Sequence, residues 1–430
     1  MFYLTFSQGN QNMNRASRIA ATIQTMISSV EFISAHRKSP KAFTRNRKLP
    51  FGIIISTILQ LAKRSLQIEC NLLGERLMTE PASKQAFSKA RYNVSYTAFK
   101  TLSNQLLQDA YRDNPEGLWR GYRLFGVDGS TLRLPESEEN AEYFGRHNSG
   151  GFNKGKDPII ARISEVVDLT TGIIVNAAIG PMCEGERALA KEQIESVTRL
   201  FNSLGQEKLL FVFDRGYVSK ECIGILRSLK VDFIYRVPRN FNKVIEALME
   251  KGECDCLVNI ASNIQPLRLV IRSLPSGEKC ALLTSLVDQS ETSADDLMGI
   301  YWLRWSGCEE GYKKQKVALE LENFLGTGVE AVLQEFWATV LTVNLFQVHC
   351  LEEEGAWDID EPPTERINRS VVFGSLRETV FKTVMGEISV TDFWDKFIKV
   401  ARRSKVKVRP GRKYSRAGIK KEKHVYRRVC

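Results

Sequence analysis

Five short apolar runs between residues 122 and 237 constrain the fold of this chain more than any other feature. A turn at residues 168–172 joins the second run to the third, and apolar residues at helical spacing fill about 186–204 and 219–229. Short apolar runs bounded by turn residues predict strands, whereas spacings of three and four predict helices. The predicted strands occupy residues 122–128, 158–167, 172–178, 209–213 and 232–237.

The order of these elements predicts the fold class. Three antiparallel strands, then helix, strand, helix and strand, is the order of a ribonuclease H-like core, so we expect an α/β protein. The catalytic core would comprise residues 116–237 and 301–350. Two further apolar runs, at 267–272 and 280–286, predict a hairpin within a β-rich insertion at residues 238–300.

Basic residues concentrate at the two ends of the chain. The net charge of +11 divides into +10 for residues 1–110, −11 for 111–400 and +12 for 401–430. Basic ends suit a polyanion such as double-stranded DNA, although a solvated tail has the same composition. We expect a helical N-terminal DNA-binding region at 1–115 and a helical C-terminal region with a basic tail at 351–430. The predicted DNA contacts in the tail are Arg402, Arg403, Arg409 and Arg412.

A helix-turn-helix pattern lies within the N-terminal region. A helix over 66–77 ends before Pro81, and Ser83 is a suitable N-cap for a second helix. In a helix-turn-helix, the polar second helix would read the major groove. A helical hairpin with solvated lysines explains the same pattern. The DNA contacts predicted on the second helix are Lys84, Gln85, Lys89 and Arg91.

Composition narrows the class of protein. No apolar run reaches the length of a membrane span, and residues 1–14 lack the pattern of a signal peptide, so we expect a cytoplasmic protein with no membrane partner. The nine cysteines and four histidines show no zinc-site spacing, which predicts reduced thiols.

Two aspartates follow apolar runs, at Asp128 and Asp214. A carboxylate in such a place is costly unless it is paired or coordinated, and neighbouring strands would bring the two acids together. Glu309, on a helix laid against the sheet, would complete an oxygen-only site for two Mg²⁺ or Mn²⁺ ions acting on a phosphodiester. Helix capping and ordinary ion pairs are the alternative explanation.

The stretch at 301–316 surrounds Glu309 with aromatic and cationic side chains. Cations and indole rings are what a phosphate backbone and an unstacked base would meet, although an ion pair on a solvated helix is also consistent with the pattern. The DNA contacts predicted here are Tyr301, Arg304, Trp305, Lys313 and Lys316.

Together these motifs resemble the DDE transposases of bacterial insertion sequences, in particular the insertion sequence four family. Asp128 in Val-Asp-Gly-Ser and Asp214 in Phe-Asp-Arg-Gly-Tyr are similar to the first two catalytic acids of that family. Its Y-x2-R-x3-E-x6-K signature matches Tyr301, Arg304, Glu309 and Lys316.

The resemblance implies a specific activity. This activity is metal-dependent cleavage at transposon ends followed by strand transfer into target DNA, which is a cut-and-paste route. In this branch of the family the signature is associated with a DNA hairpin intermediate. The resemblance further implies a homodimer on paired ends, acting in the bacterial nucleoid.

The signature departs from the family at one point. Four residues, rather than three, separate Arg304 from Glu309, which on a regular helix would turn Glu309 by about 100°. A π-bulge would absorb the extra residue, and so would a new helix capped by Ser306 with Glu309 at its third position. The alternative functions are a DNA-binding relic without turnover and a structure-specific nuclease.

Overall fold

The computed structural model describes most of the chain. The described residues are 13–45, 47–60, 63–112, 116–147, 157–262, 264–274, 276–313, 315–316 and 319–408. Two of the predicted DNA contacts, Arg409 and Arg412, lie outside them.

A large mixed sheet forms the centre of the molecule. Its strands are β1 (Arg123–Arg133), β2 (Ile160–Asp168), β3 (Ile174–Pro181), β4 (Leu209–Phe213), β5 (Asp232–Arg236), β6 (Cys254–Val258), β7 (Leu267–Ser273) and β8 (Lys279–Thr284). They lie in the order β3-β2-β1-β4-β5-β8-β7-β6. The first three strands pair antiparallel, whereas β1, β4 and β5 run parallel. The predicted ribonuclease H-like order is confirmed.

The β-rich insertion extends this sheet. Strand β8 pairs antiparallel with β5, and β7 and β6 continue outward from it. The hairpin predicted from the apolar runs at 267–272 and 280–286 forms, and it is buried on both faces. Even Arg268 in β7 is fully buried, where its guanidinium donates two hydrogen bonds of 2.7 Å to Asp255 in β6. This pairing explains how β7, which lies between β8 and the edge strand β6, accepts a buried charged residue.

Helices cover the sheet and form the N- and C-terminal regions. The first nine are α1 (Arg15–Ser28), α2 (Val30–His36), α3 (Phe51–Gln60), α4 (Leu66–Arg76), α5 (Lys84–Arg91), α6 (Thr97–Tyr111), α7 (Glu138–Phe144), α8 (Glu186–Ser203) and α9 (Lys220–Ser228). The others are α10 (Lys243–Lys251), α11 (Ala294–Arg304), α12 (Glu310–Lys313), α13 (Val329–Glu354), α14 (Arg369–Val384) and α15 (Val390–Arg403). The strands β9 (Glu365–Ile367) and β10 (Lys405–Lys407), which lie before α14 and after α15 in the chain, pair antiparallel in a separate two-stranded sheet. Among the described residues, no helix is both long and apolar enough to cross a membrane.

The long helix α13 joins the N-terminal region to the core. It is buried along most of its length and contacts α1, α3 and α6 on one side and β3 on another. The N-terminal helices therefore pack directly on a helix that also contacts the central sheet.

A buried ion cluster fixes this junction. The carboxylate of Glu335 in α13 accepts hydrogen bonds from Lys63 at 2.7 Å and Arg91 at 3.1 Å, and the backbone N–H groups of Leu325 and Gly326 donate to it as well. Burial alone would raise the pKa of Glu335, but Lys63 and Arg91 outweigh it and lower that pKa to about 2.

The position of Arg91 corrects one prediction. The helices α4 and α5 form where expected, and Ser83 caps α5 by accepting from the N–H of Ala86. Arg91, however, is 1% exposed and bound to Glu335. Its predicted contact with DNA is wrong, because the guanidinium points into the protein. Lys84, Gln85 and Lys89 of α5 are exposed.

We expect Glu335→Gln to destabilise the protein strongly. The change leaves two buried cations without their anion, which typically costs about 3–5 kcal/mol. Urea unfolding at pH 7 measures this loss, with Glu353→Gln as the control. Glu353 pairs with Arg402 at the surface, where such pairs contribute about 1 kcal/mol or less.

The same carboxylate predicts a pH dependence. Because the pKa of Glu335 is lowered on folding, its contribution is present above the unfolded pKa of about 4.3 and is lost as pH falls towards about 2. Between pH 5 and pH 2 the wild type should therefore lose more stability than Glu335→Gln. Parallel loss in both proteins would contradict this assignment.

Candidate active site

The register of two parallel strands brings Asp128 and Asp214 together. The last pair between β1 and β4 is Val127 with Phe213, and each aspartate is the next residue along its strand. Strand β4 ends there, but β1 continues to Arg133 because β2 still pairs with it. Asp128 therefore lies in mid-strand and Asp214 begins a loop.

The third acid comes from a helix that changes its winding. The α11 helix is capped by Ser293 and Asp296, which form a capping box, and it continues into a π turn at Trp305–Glu309. The π turn absorbs the residue by which the chain departs from the family signature. The first of the two alternatives is thus confirmed, and no new helix begins at Ser306.

Close packing explains why the π turn is tolerated. Cys308 is fully buried against Gly126 of β1, where a Cβ atom would lie 2.7 Å from the Cys308 Sγ and 2.7 Å from Leu169. A Cβ atom on Gly307 would lie 2.9 Å from Leu169. Two glycines therefore allow the widened turn to approach the sheet.

One guanidinium lies among the three acids. Arg304 is 1% exposed, and its nitrogens lie 3.6 Å from Asp128, 3.9 Å from Asp214 and 3.9 Å from Glu309. These distances are longer than hydrogen bonds, so the attraction is one between charges. Within the described part of the chain, Nε and Nη1 of Arg304 have no hydrogen-bond acceptor. The hydroxyl of Tyr301 donates to Asp214 at 3.1 Å.

The carboxyl groups of the site outnumber the positive charge of Arg304. Burial raises the pKa of Asp128 to about 6, against the lowering effect of Arg304, and Glu309 and Asp214 add to the rise. Burial would lower the pKa of Arg304, but Asp128 and its other anionic neighbours raise it above its usual value. Among the described residues, Arg304 thus brings one permanent cation to three carboxyl groups, and the site favours further positive charge.

These residues suit a divalent metal ion in charge and in donor type. All three side chains offer carboxylate oxygens, the ligands that Mg²⁺ and Mn²⁺ prefer. In the residues that the structure describes, no three potential ligands converge tightly enough to hold an ion. The three carboxylates instead surround the Arg304 side chain.

The structure also corrects the roles predicted for the signature residues. Tyr301 and Arg304 are buried and bind the acids, so neither presents its polar group to DNA from this position. Lys316 donates to Ser130 Oγ and to the Thr131 carbonyl, both at 2.7 Å.

The other residues predicted to contact DNA differ in exposure. Trp305 is partly buried, whereas its neighbour Trp302 is 42% exposed. The side chain of Lys313 lies outside the described residues. Arg403 is exposed, and Arg402 is exposed but pairs with Glu353.

Three residues near the acids escaped the sequence prediction. The Tyr312 hydroxyl donates to the carbonyl of Asp128 at 2.9 Å, and Gln315 Nε2 lies 2.9 Å from both carboxylate oxygens of Glu165. A signal existed for Glu165, because a lone carboxylate within an apolar strand needs a partner. The sequence did not show which residue that partner is.

A ribonuclease H-like sheet with acids on two adjacent strands and a third on a following helix defines a class of enzymes that cleave and join phosphodiesters. The chain belongs to the transposase DDE domain family, whose model matches residues 119–345. Within it the chain is an insertion sequence four-type DDE transposase, an enzyme that cleaves DNA and transfers its strands.

Comparisons with individual proteins agree with this assignment. The transposase InsG for insertion sequence element IS4 of Escherichia coli (strain K12) is 25% identical over 332 residues, which are 72% of this chain and 71% of that protein. The putative transposase InsZ of the same organism is 23% identical over 240 residues, 55% of this chain and 75% of that protein. The piggyBac transposase in its synaptic complex with hairpin DNA is similar in fold, with a TM-score of 0.52, 12% identity, and coverage of 88% of this chain and 82% of that chain.

We expect Gly126→Ala to impair the site. The new methyl group would collide with Cys308 and Leu169, so the π turn would move away from β1 and carry Glu309 with it. The rate of DNA end cleavage should fall, whereas thermal unfolding should show that the protein still folds. Gly224→Ala on α9, where a Cβ atom meets nothing within 4 Å, is the matched control. Equal rates in the two variants would contradict this packing argument.

Proposed function

We propose that Asp128, Asp214 and Glu309 are the catalytic acids of this transposase and bind two divalent metal ions, Mg²⁺ or Mn²⁺. The single observation that carries the proposal is the convergence of three carboxylates, from β1, from the end of β4 and from the π turn, on one buried guanidinium. An arrangement of that kind is costly for stability alone, because like charges close together repel.

In this proposal Tyr301 and Tyr312 position the acids, and Arg304 offsets their charge. Tyr301 orients Asp214 through its hydroxyl, and Tyr312 holds the backbone at Asp128. Arg304 offsets part of the negative charge of the three acids. Metal ions bound there would activate a water or a 3′-hydroxyl and stabilise the leaving oxygen.

Replacement of any one acid tests the proposal. Asp128→Asn, Asp214→Asn and Glu309→Gln should each abolish Mg²⁺-dependent cleavage of a duplex that carries a transposon end, because each removes a ligand charge. Binding of that duplex should persist in a mobility-shift assay. The control is Glu221→Gln on the exposed face of α9. Cleavage that persists in all three acid variants would refute the assignment.

The π turn favours an active enzyme over a DNA-binding relic, since it brings Glu309 to within 3.9 Å of Arg304 despite the extra residue. Deletion of Ser306 restores the family spacing. Cleavage should remain largely intact, because the π turn already compensates for the extra residue. Cleavage that appears only after the deletion would favour the relic. Cleavage without strand joining in the unaltered protein would favour a structure-specific nuclease.

We propose that α5 contacts the transposon end through Lys84, Gln85 and Lys89. All three are exposed, whereas Phe87 and Arg91 of the same helix are buried. Arg402, Arg403 and the basic tail with Arg409 and Arg412 would add contacts to the DNA backbone. In this proposal the helical N-terminal region at 1–115 recognises the transposon end, and the catalytic core at 116–237 and 301–350 cleaves it. The β-rich segment at 238–300 is an insertion in that core. The C-terminal region at 351–430 supports DNA binding.

Salt dependence separates phosphate contacts from merely exposed lysines. Lys84→Ala together with Lys89→Ala should weaken end binding and reduce the slope of log affinity against log salt by about 0.9 for each phosphate that the variant no longer neutralises. Lys243→Ala with Lys251→Ala, at the exposed ends of α10, is a control of equal charge. An unchanged slope in the α5 variant would exclude phosphate contacts by these lysines.

The finer features of the reaction belong to the same proposal. A homodimer would hold two transposon ends in the bacterial nucleoid, and cleavage would proceed through a DNA hairpin. The piggyBac complex, which contains hairpin DNA, gives a precedent on a similar fold.

A further inference from the structure

Two buried polar side chains meet beside the acids. Glu165 on β2 is the direct partner of Asp128 on β1, so the two side chains lie on the same face of the sheet. Glu165 and Gln315 are each 1% exposed, and Gln315 Nε2 donates to both oxygens of Glu165 at 2.9 Å. No other hydrogen bond to this carboxylate is found among the described residues.

This contact is expensive to form. A carboxylate buried in an apolar strand and close to another acid is unfavourable unless it is hydrogen-bonded. An apolar pair at these positions would pack the helix against the sheet without that cost. The polar pair instead specifies one position for the helix, since a shift of either partner would break both hydrogen bonds.

The segment that carries Glu309 is tied to the sheet by several such contacts. Tyr312 and Lys316 donate to β1, at the carbonyls of Asp128 and Thr131, while Gln315 reaches β2. All three follow Glu309 within two helical turns. They hold the segment downstream of the π turn, because the π turn interrupts the regular backbone hydrogen bonds of an α-helix.

The opposite face of β2 carries an equivalent contact. Ser164 precedes Glu165, so its side chain points to the other face. Its hydroxyl donates to Gln193 of α8 at 2.6 Å, and Gln193 Nε2 donates to the Ser164 carbonyl at 3.0 Å. Consecutive residues of one strand thus anchor a helical segment on each face, and only the segment with Gln315 directly follows one of the three acids proposed to be catalytic.

We infer that Glu165 and Gln315 are a positioning pair that holds Glu309 in register with Asp128 and Asp214. This inference rests on the proposed function of the three acids. Neither residue touches the reacting groups, because both are buried beneath the segment that Glu309 begins.

A matched pair of variants in the full-length protein tests the inference. Gln315→Met and Gln193→Met each remove one buried side-chain amide that hydrogen-bonds to β2. We expect Gln315→Met to lower the maximal rate of end cleavage about tenfold, a coupling ordinary for contacting side chains, with end-binding affinity unchanged. Gln193→Met should retain the rate, although both variants unfold at lower temperature.

Hydrogen exchange provides a readout that does not depend on activity. Without DNA or metal, Gln315→Met should raise deuterium uptake in residues 305–313, whereas Gln193→Met should raise it in α8. The exchanged pair, Glu165→Gln with Gln315→Glu, recreates the hydrogen bond in reverse and should recover both the rate and the protection.

Three results would overturn the inference. They are an unchanged rate in Gln315→Met, equal rate losses in Gln315→Met and Gln193→Met, and an exchanged pair that recovers neither measure. Asp128→Asn distinguishes this failure from failure of the proposed function. If that variant is inactive while Gln315→Met is fully active, the acids stand and the positioning role falls.

Discussion

The arrangement of the site depends on a buried charge interaction. Arg304 places one cation among three carboxyl groups in a position almost closed to water. Without that cation, burial and mutual repulsion would drive the acids apart or protonate them, as the raised pKa of Asp128 already indicates. The surrounding elements, namely the β1–β4 register, the π turn and the Tyr301 hydroxyl, all serve to bring groups to this one cation.

Local patterns predicted much of the fold and singled out the three carboxylates that surround Arg304. The apolar run at 209–213 became β4 with the predicted bounds, and Asp214 follows it because strands buried on both faces read as continuous apolar runs. The motifs at Asp128 and Asp214 were recognisable because each aspartate follows such an apolar run. Their side-by-side placement follows from parallel pairing, which the order of elements implies.

Long-range contacts set the limits of prediction. Arg91 resembled its exposed neighbours in α5, and only Glu335, 244 residues away, explains why it is buried. The sequence offered two ways to absorb the extra residue before Glu309, and the choice depended on the space above Gly126. The partnership of Glu165 with Gln315 required the β1–β2 register, which no spacing within either segment reveals.

The Glu335 cluster has a consequence for how such a transposase can diversify. Lys63 lies before α4 and Arg91 ends α5, and both form ion pairs with Glu335 of α13. A segment joined to its neighbour through buried opposite charges is not an interchangeable module. Grafting α4 and α5 from a relative with a different cluster would leave ions unpaired in the interior. Changes in DNA preference are therefore easiest at the exposed positions of α5, where substitutions leave the junction intact.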